Sequence, residues 1–297
     1  RITPPTSPYF KGRIDQESPL KVRGGAGGVM KPIFVLGKHR VEDFKNADLV
    51  FQNPSVPADS PYLKIARQAG IPIVNDWSIF LAEHQPKVFI GVTGTRGKST
   101  TTALIYEMFK KGYSPFRAKR RIAQEGSKYN KVWLVGNLGV SPLSFIDQYK
   151  GEPIVAELSS WLLHHFADVK KSPNIAVVTN IMRDHLNKYK GLRDYIADKE
   201  NIFKFQQSRT VLLNRKGQSL IARDVVVLNY DNSYTRAMAR KARGKVVWFS
   251  LKKHWPKWVP LSAVLIPGEH NKANALAAAA AAEAAGVSRA RIIEVLK

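Results

Sequence analysis

The sequence predicts an α/β fold: a doubly wound, mainly parallel sheet preceded by a smaller α/β unit. Three observations predict it. From residue 31 onward, short apolar runs alternate with helix-length segments, which is the pattern of βα units and of parallel strand pairing. One run, residues 88–92, passes directly into a glycine-rich turn and then a helix-length segment. The composition, 44% hydrophobic and 24% charged over 297 residues, is that of a globular chain with room for about two cores.

Residues 1–29 stand apart, with four Pro, a Gly-Gly-Ala-Gly-Gly run and little apolar periodicity. They read as a disordered or non-native tail, with Met30 as a candidate start. Residues 30–86 are expected to form a partial Rossmann-like α/β domain. In it, 33–36, 49–51 and 71–74 read as strands. Residues 60–69 read as a helix capped by Asp59 or Ser60 and stopped by Gly70, and 76–83 as another. Residues 87–297 are expected to form the main sheet domain. Its strands are read at 88–92, 132–135, 154–158, 174–179, 210–213, 225–228, 245–249 and 263–266. Its helices are read at 98–111, 192–206, 270–285 and 288–296, the third rich in helix-favouring alanine.

The charge balance is unusual: 47 Lys and Arg against 23 Asp and Glu, a net charge of +24. Two clusters stand out, residues 110–131 with eight basic and one acidic side chain, and 236–257 with eight basic and none acidic. Such clusters suit a polyanion or simply a solvated surface. Neither has a nucleic-acid motif around it, so a solvated surface is the preferred reading and nucleic acid is not the expected partner. The absence of cysteine excludes disulfides, a thiolate nucleophile and a Cys zinc site. No apolar run reaches the roughly 18 residues of a membrane span. A cytoplasmic monomer is the expectation.

Five segments carry chemistry. Gly91-Val92-Thr93-Gly94-Thr95-Arg96-Gly97-Lys98-Ser99-Thr100 lies between a predicted strand and a predicted helix. It is a P-loop pattern, although Val92 stands where a strict Walker A motif has its first glycine. Amides of such a loop converge on phosphate, Lys98 reaches further phosphate oxygens, and the Ser99 hydroxyl suits Mg²⁺. Glu157, with Ser159 close behind, ends an apolar strand, where nucleotide sites of open α/β sheets lie. The bland alternative is a strand-end Glu beside a serine cap. Asp184-His185 follows the strand that ends at Thr179, and a His there is either a metal or phosphate contact or a packed residue. Lys199 sits on a predicted helix, where a lysine is ordinarily solvated. Gly268-Glu269-His270-Asn271-Lys272-Ala273-Asn274 opens the alanine-rich helix, as a nucleoside contact or as a cap.

Taken in order, the P-loop, Glu157-Leu158-Ser159-Ser160, Asp184-His185, Lys199 and Gly-x-His-Asn-x-x-Asn resemble the Mur ligase family. The resemblance covers about residues 33–297. Glu-Leu-Ser-Ser followed by Trp161, and Gly136-Asn137-Leu138-Gly139, look most like the members that add D-glutamate to UDP-N-acetylmuramoyl-L-alanine. The resemblance implies an ATP-dependent amide ligase of peptidoglycan precursor synthesis that works through an acyl phosphate. It implies that Gly94, Thr95, Gly97, Lys98, Ser99, Thr100, Asn271 and Asn274 bind ATP. It assigns Asn137, Ser159 and His185 to the UDP-sugar, and Ser99, Glu157, His185 and Lys199 to two Mg²⁺ sites. Lys98, Glu157, His185 and Lys199 carry the catalytic roles, with Lys199 carbamylated. Other ligases of the superfamily, such as folylpolyglutamate synthases, and a basic P-loop module acting on nucleic acid are the alternatives.

The sequence departs from the family pattern in places. It stops at Lys297, just after the helix that leads into the family's C-terminal acceptor domain, so that domain is expected to be absent and the chain incomplete. An opening glycine-rich loop is missing from the first domain. Residues 117–130 look like a basic insertion, and Arg183 stands where an acidic residue or Pro is expected.

Overall fold

The structure is a computed structural model. It describes residues 39–53, 56–57, 59–86, 88–110, 131–183, 189, 191–208, 210–213 and 219–297, with backbone alone at 210–213 and 219–222. The expected tail 1–29, the strand at 33–36, the basic stretch 117–130 and Asp184-His185 lie outside the described residues. The chain divides into two compact units, Arg1–Gln85 and Pro86–Lys297.

The first unit contains α1 (Val41–Lys45), β1 (Val50–Phe51), α2 (Pro61–Gln68), β2 (Ile73–Val74) and α3 (Asp76–Glu83), and β1 pairs with β2 in parallel. Ser60 precedes α2 and Pro61 opens it, where a missing N–H costs nothing. Gly70, at φ +71°, ends that helix region. Asn75 and Ser78 close a reciprocal capping box on α3. The helix buries Trp77, Phe80 and Leu81.

The second unit runs β3 (Phe89–Thr93), α4 (Lys98–Lys110), β4 (Trp133–Gly136), β5 (Ile154–Glu157), α5 (Ser160–His164), α6 (Phe166–Val169), β6 (Ile175–Val178) and α7 (Leu192–Lys204). It continues with β7 (Thr210–Leu213), β8 (Ser219–Ala222), β9 (Val225–Asn229), α8 (Ser233–Met238), β10 (Lys245–Phe249), α9 (Glu269–Ala284) and α10 (Arg289–Leu296). Six strands form one parallel sheet in the order β10-β9-β6-β3-β5-β4. β3, β5 and β6 are buried along their whole length. Covered on both faces, they read in sequence as continuous apolar runs rather than alternating ones. Ala275–Ala282 of α9 are all buried in the same core as Ile105, Met108 and Phe109 of α4. Alanine at every turn lets these helices approach closely, at no cost in side-chain entropy.

Two local expectations are corrected. Residues 263–266 form no strand: Leu261–Ala263 is a 3₁₀ turn, and Leu265 and Ile266 are exposed. The run is confined between Pro260 and Pro267 and buries only Val264, so it has no face to pack. Residues 210–213 do not join the parallel sheet but pair antiparallel with Ser219–Ala222, a strand the sequence reading missed. A short connection permits only this antiparallel arrangement.

Candidate functional site

The P-loop connects the central strand to its helix. Thr93 ends β3 and Lys98 opens α4. Gly94 and Gly97 take φ of +150° and +82°. A Cβ at Gly94 would strike the Thr179 hydroxyl, and one at Gly97 the Asn274 carboxamide. Both positions therefore require glycine on conformational and steric grounds. The first intrahelical bond runs from Thr101 N–H to the Gly97 carbonyl, 3.0 Å. The N–H groups of Lys98, Ser99 and Thr100 lie ahead of it, as the unsatisfied donors of a helix N-terminus do. Lys98 is half-buried and its Nζ donates to the Thr95 carbonyl at 3.0 Å. Ser99 is exposed.

The strand on one side of β3 holds this loop. Just beyond β6, Thr179 Oγ1 donates to the Arg96 carbonyl (2.6 Å). Asn180 donates from Nδ2 to the same carbonyl (3.0 Å) and accepts the Arg96 N–H on Oδ1 (3.0 Å). The Asn180 carbonyl accepts the Thr95 N–H at 2.8 Å. Thr95 Oγ1 accepts the Met182 N–H (2.9 Å) and lies 3.2 Å from the Tyr195 hydroxyl. From β9 and the turn after it, Asn229 Nδ2 donates to the Thr179 carbonyl (2.8 Å) and Asn232 Nδ2 to the Ile181 carbonyl (2.9 Å).

The strand on the other side, β5, contributes Glu157, which is in register with Val92 of β3 and Gly136 of β4. It is 4% exposed. Gly136, at φ +92°, lies against the Glu157 carbonyl, which accepts the Asn137 N–H at 3.2 Å. Asn137 itself is exposed. Ser159 caps α5, accepting the Leu162 N–H at 3.3 Å.

Lys199, on α7, is only 2% exposed. Its Nζ donates to the Gly94 carbonyl (3.0 Å) and to Thr93 Oγ1 (3.3 Å), and lies 4.7 Å from the Tyr195 ring centroid. This helix lysine is thus not a solvated charge but part of the loop's underside. Trp161, Tyr189 and Tyr195 form a run of ring contacts, with centroids 5.4 and 5.3 Å apart. Burial pushes the Tyr189 hydroxyl pKa upward. Asn274 is buried and donates to Asn271 Oδ1 at 3.2 Å, while Asn271 Nδ2 donates to the Pro267 carbonyl at 2.7 Å.

The structure therefore gathers Gly94, Thr95, Gly97, Lys98, Lys199 and Asn274 about one loop, with Glu157 on the adjoining strand end. The sequence reading missed Thr179, Asn180 and Tyr195 as parts of this constellation. The available signal was a Thr-Asn pair at the carboxyl end of an apolar strand.

A parallel sheet whose central strand feeds a Gly-x-x-Gly-Lys-Ser loop and a helix defines a P-loop α/β domain. The Mur ligase middle domain model matches residues 92–282, and the chain belongs to the Mur ligase family. It is 35% identical over 269 residues to the UDP-N-acetylmuramoylalanine–D-glutamate ligase of Acetivibrio thermocellus, covering 84% of this chain and 50% of that protein. It is 42% identical over 184 residues to the ligase of the same name from Borreliella afzelii, covering 62% and 36%. The chain thus spans half or less of the length of these curated relatives. Its fold is similar to that of UDP-N-acetylmuramate:L-alanyl-gamma-D-glutamyl-meso-diaminopimelate ligase from Neisseria meningitides. There the TM-score is 0.53 at 17% identity, over 84% of this chain and 78% of that one.

Proposed function

We propose that the chain is the nucleotide-handling part of an ATP-dependent amide ligase of peptidoglycan precursor synthesis, one that joins D-glutamate to UDP-N-acetylmuramoyl-L-alanine. The observation that carries this reading is the P-loop itself, with Lys98 at the head of α4 and buried Glu157 and Lys199 close to the same strand end. The similarity to D-glutamate ligases supports the choice of acceptor. On this reading residues 87–297 bind ATP and residues 30–86 serve the UDP-substrate side.

The roles follow from the chemistry. The amides of Gly97, Lys98, Ser99 and Thr100 receive phosphate oxygens, with Gly94 and Thr95 shaping the turn. Lys98 neutralises charge that develops on the transferred phosphoryl group. Asn271 and Asn274 lie toward the nucleoside, and Asn137, Ser159 and His185 toward the UDP-sugar. An oxygen of the alanyl carboxylate bonds to the γ-phosphorus as the bond to the bridging oxygen breaks and ADP leaves. The D-glutamate amine then attacks the acyl carbon, loses a proton, and inorganic phosphate departs. Mg²⁺ would supply charge neutralisation for both phosphates and leaving group. The buried Glu157 carboxyl group and the exposed Ser99 hydroxyl are oxygen donors of the type this ion takes and would hold it. His185 and a carbamylated Lys199 are the proposed holders of a second ion. Among the described residues, no helix is long and apolar enough to cross a membrane. Nucleotide substrates fit a cytoplasmic setting.

Titration calorimetry with Mg²⁺ and ATP tests the reading. The 297-residue chain is expected to bind ATP, and Lys98→Ala to weaken that binding by about tenfold or more, the worth of one charge-assisted contact. Equal affinity of the two proteins refutes the assignment of the site.

A further inference from the structure

We infer that Asn180, together with Thr179, is a positioning pair that turns the Gly97 amide toward the bound phosphates. The inference rests on the phosphate-site reading above and adds to it residues that follow a different strand.

Four hydrogen bonds, all from the same side, bind the peptide groups of Thr95 and Arg96 to the residues that follow β6. The Thr95 N–H goes to the Asn180 carbonyl, and the Arg96 N–H to Asn180 Oδ1. The Arg96 carbonyl accepts from both Asn180 Nδ2 and Thr179 Oγ1. The amides of Thr95 and Arg96 are therefore spent on protein. The next peptide unit is set by its other end. A trans peptide is planar, with its C=O and N–H pointing in opposite directions. Holding the Arg96 carbonyl toward β6 directs the Gly97 N–H away from β6. Gly97 then turns the chain, at φ +82°, into the helix whose first amides follow. An anion cradle works without reorganisation only if its donors already converge.

The clamp is itself braced. Asn229 Nδ2 holds the Thr179 carbonyl and Asn232 Nδ2 holds the Ile181 carbonyl. The segment 179–181 is thus fixed from β9 and the turn after it on one side while it fixes the P-loop on the other. Asparagine suits the position because one carboxamide satisfies both the N–H and the C=O of Arg96. An aspartate could accept the N–H but would face the Arg96 carbonyl with like polarity and add negative charge beside the phosphate site. The pair acts on orientation, whereas Lys98 acts on charge.

The test compares Asn180→Ala, Asn180→Asp, Thr179→Val and Thr179→Ser in the full 297-residue chain, with ATP, tripolyphosphate and adenosine as ligands in calorimetry. Asn180→Ala is expected to weaken ATP and tripolyphosphate about tenfold, the worth of two lost hydrogen bonds. Asn180→Asp is expected to weaken them further. Thr179→Val, which keeps the shape, should lose affinity several-fold. Thr179→Ser, which keeps the hydroxyl, should stay within about twofold of the unaltered chain. Adenosine affinity should not move in any variant, which a general loosening of the domain would not allow. Unchanged tripolyphosphate affinity in both Asn180→Ala and Thr179→Val overturns the inference, and so does an equal loss for adenosine. If Asn180→Ala does not fold, the valine and serine pair at 179 decides alone. Failure of the unaltered chain to bind tripolyphosphate overturns the phosphate-site reading, and this inference with it.

Discussion

Replacing Gly97 by alanine isolates the backbone requirement of the P-loop. Gly97 has φ +82°, where an L-residue bears a cost of about 1–2 kcal/mol. The new methyl would also meet the Asn274 carboxamide. Asn274 is 6% exposed and hydrogen-bonded to Asn271, so its carboxamide yields only by breaking that bond or straining its rotamer, at about 1 kcal/mol. Gly97→Ala should therefore destabilise the domain by about 2–3 kcal/mol, the two contributions together. A double-mutant cycle separates them. In an Asn274→Ala background the methyl has space, and Gly97→Ala should cost only the conformational part. The coupling between the sites is then about 1 kcal/mol. Urea unfolding followed by tryptophan fluorescence measures all four proteins. A Gly97→Ala cost below about 0.5 kcal/mol, or the same cost in both backgrounds, refutes the steric and conformational reasoning.

Two further outcomes follow from the charges. Burial raises the Tyr189 pKa in the folded protein above its unfolded value. Its stabilising contribution is complete below about pH 10 and is lost as pH rises beyond that, because the unfolded chain ionises first. Tyr189→Phe should therefore flatten the alkaline fall in stability, and a fall as steep as that of the unaltered protein counts against it. The second outcome concerns salt. A net charge of +24 repels itself, and the ion pairs that oppose it, such as Arg40–Asp43 and Lys110–Glu107, are exposed and individually weak. Raising ionic strength from about 20 to 200 mM should raise the urea midpoint by screening that repulsion, and a midpoint that falls refutes the repulsion account.

The sheet and the P-loop were legible because their signals are local. A buried parallel strand announces itself as an uninterrupted apolar run, and Gly94 and Gly97 mark turns that no other residue makes easily. The helix from Glu269 was legible from its alanine and its Gly268 entry. What was hidden depends on distance along the chain. Thr179 and Asn180 meet Arg96 across more than 80 residues, and only the β6-β3 register brings them together. The β7-β8 hairpin and residues 263–266 misled for a different reason. A short apolar run has the same appearance whether it joins a large sheet, pairs locally or lies on the surface, and only the partners available decide which. The cluster at 236–257 is a similar case. All the Lys and Arg of residues 223–257 are exposed, and both Asp224 and Asp231 are turned to backbone amides, Gln207 and Leu251 among them.

Lys199 shows how far the role of a site residue turns on the groups that face it. Its Nζ sits against three electron-rich groups: the Gly94 carbonyl, the Thr93 hydroxyl and the face of Tyr195. All three complement a cation. The proposed carbamate would keep one N–H on the same nitrogen, able to donate to the Gly94 carbonyl, and would add two oxygens that only accept. The two forms would differ at the Tyr195 ring, whose face attracts a cation and not an anion. On the proposed reading, the contact from Lys199 Nζ to the Gly94 carbonyl would tie α7 to the loop in either form.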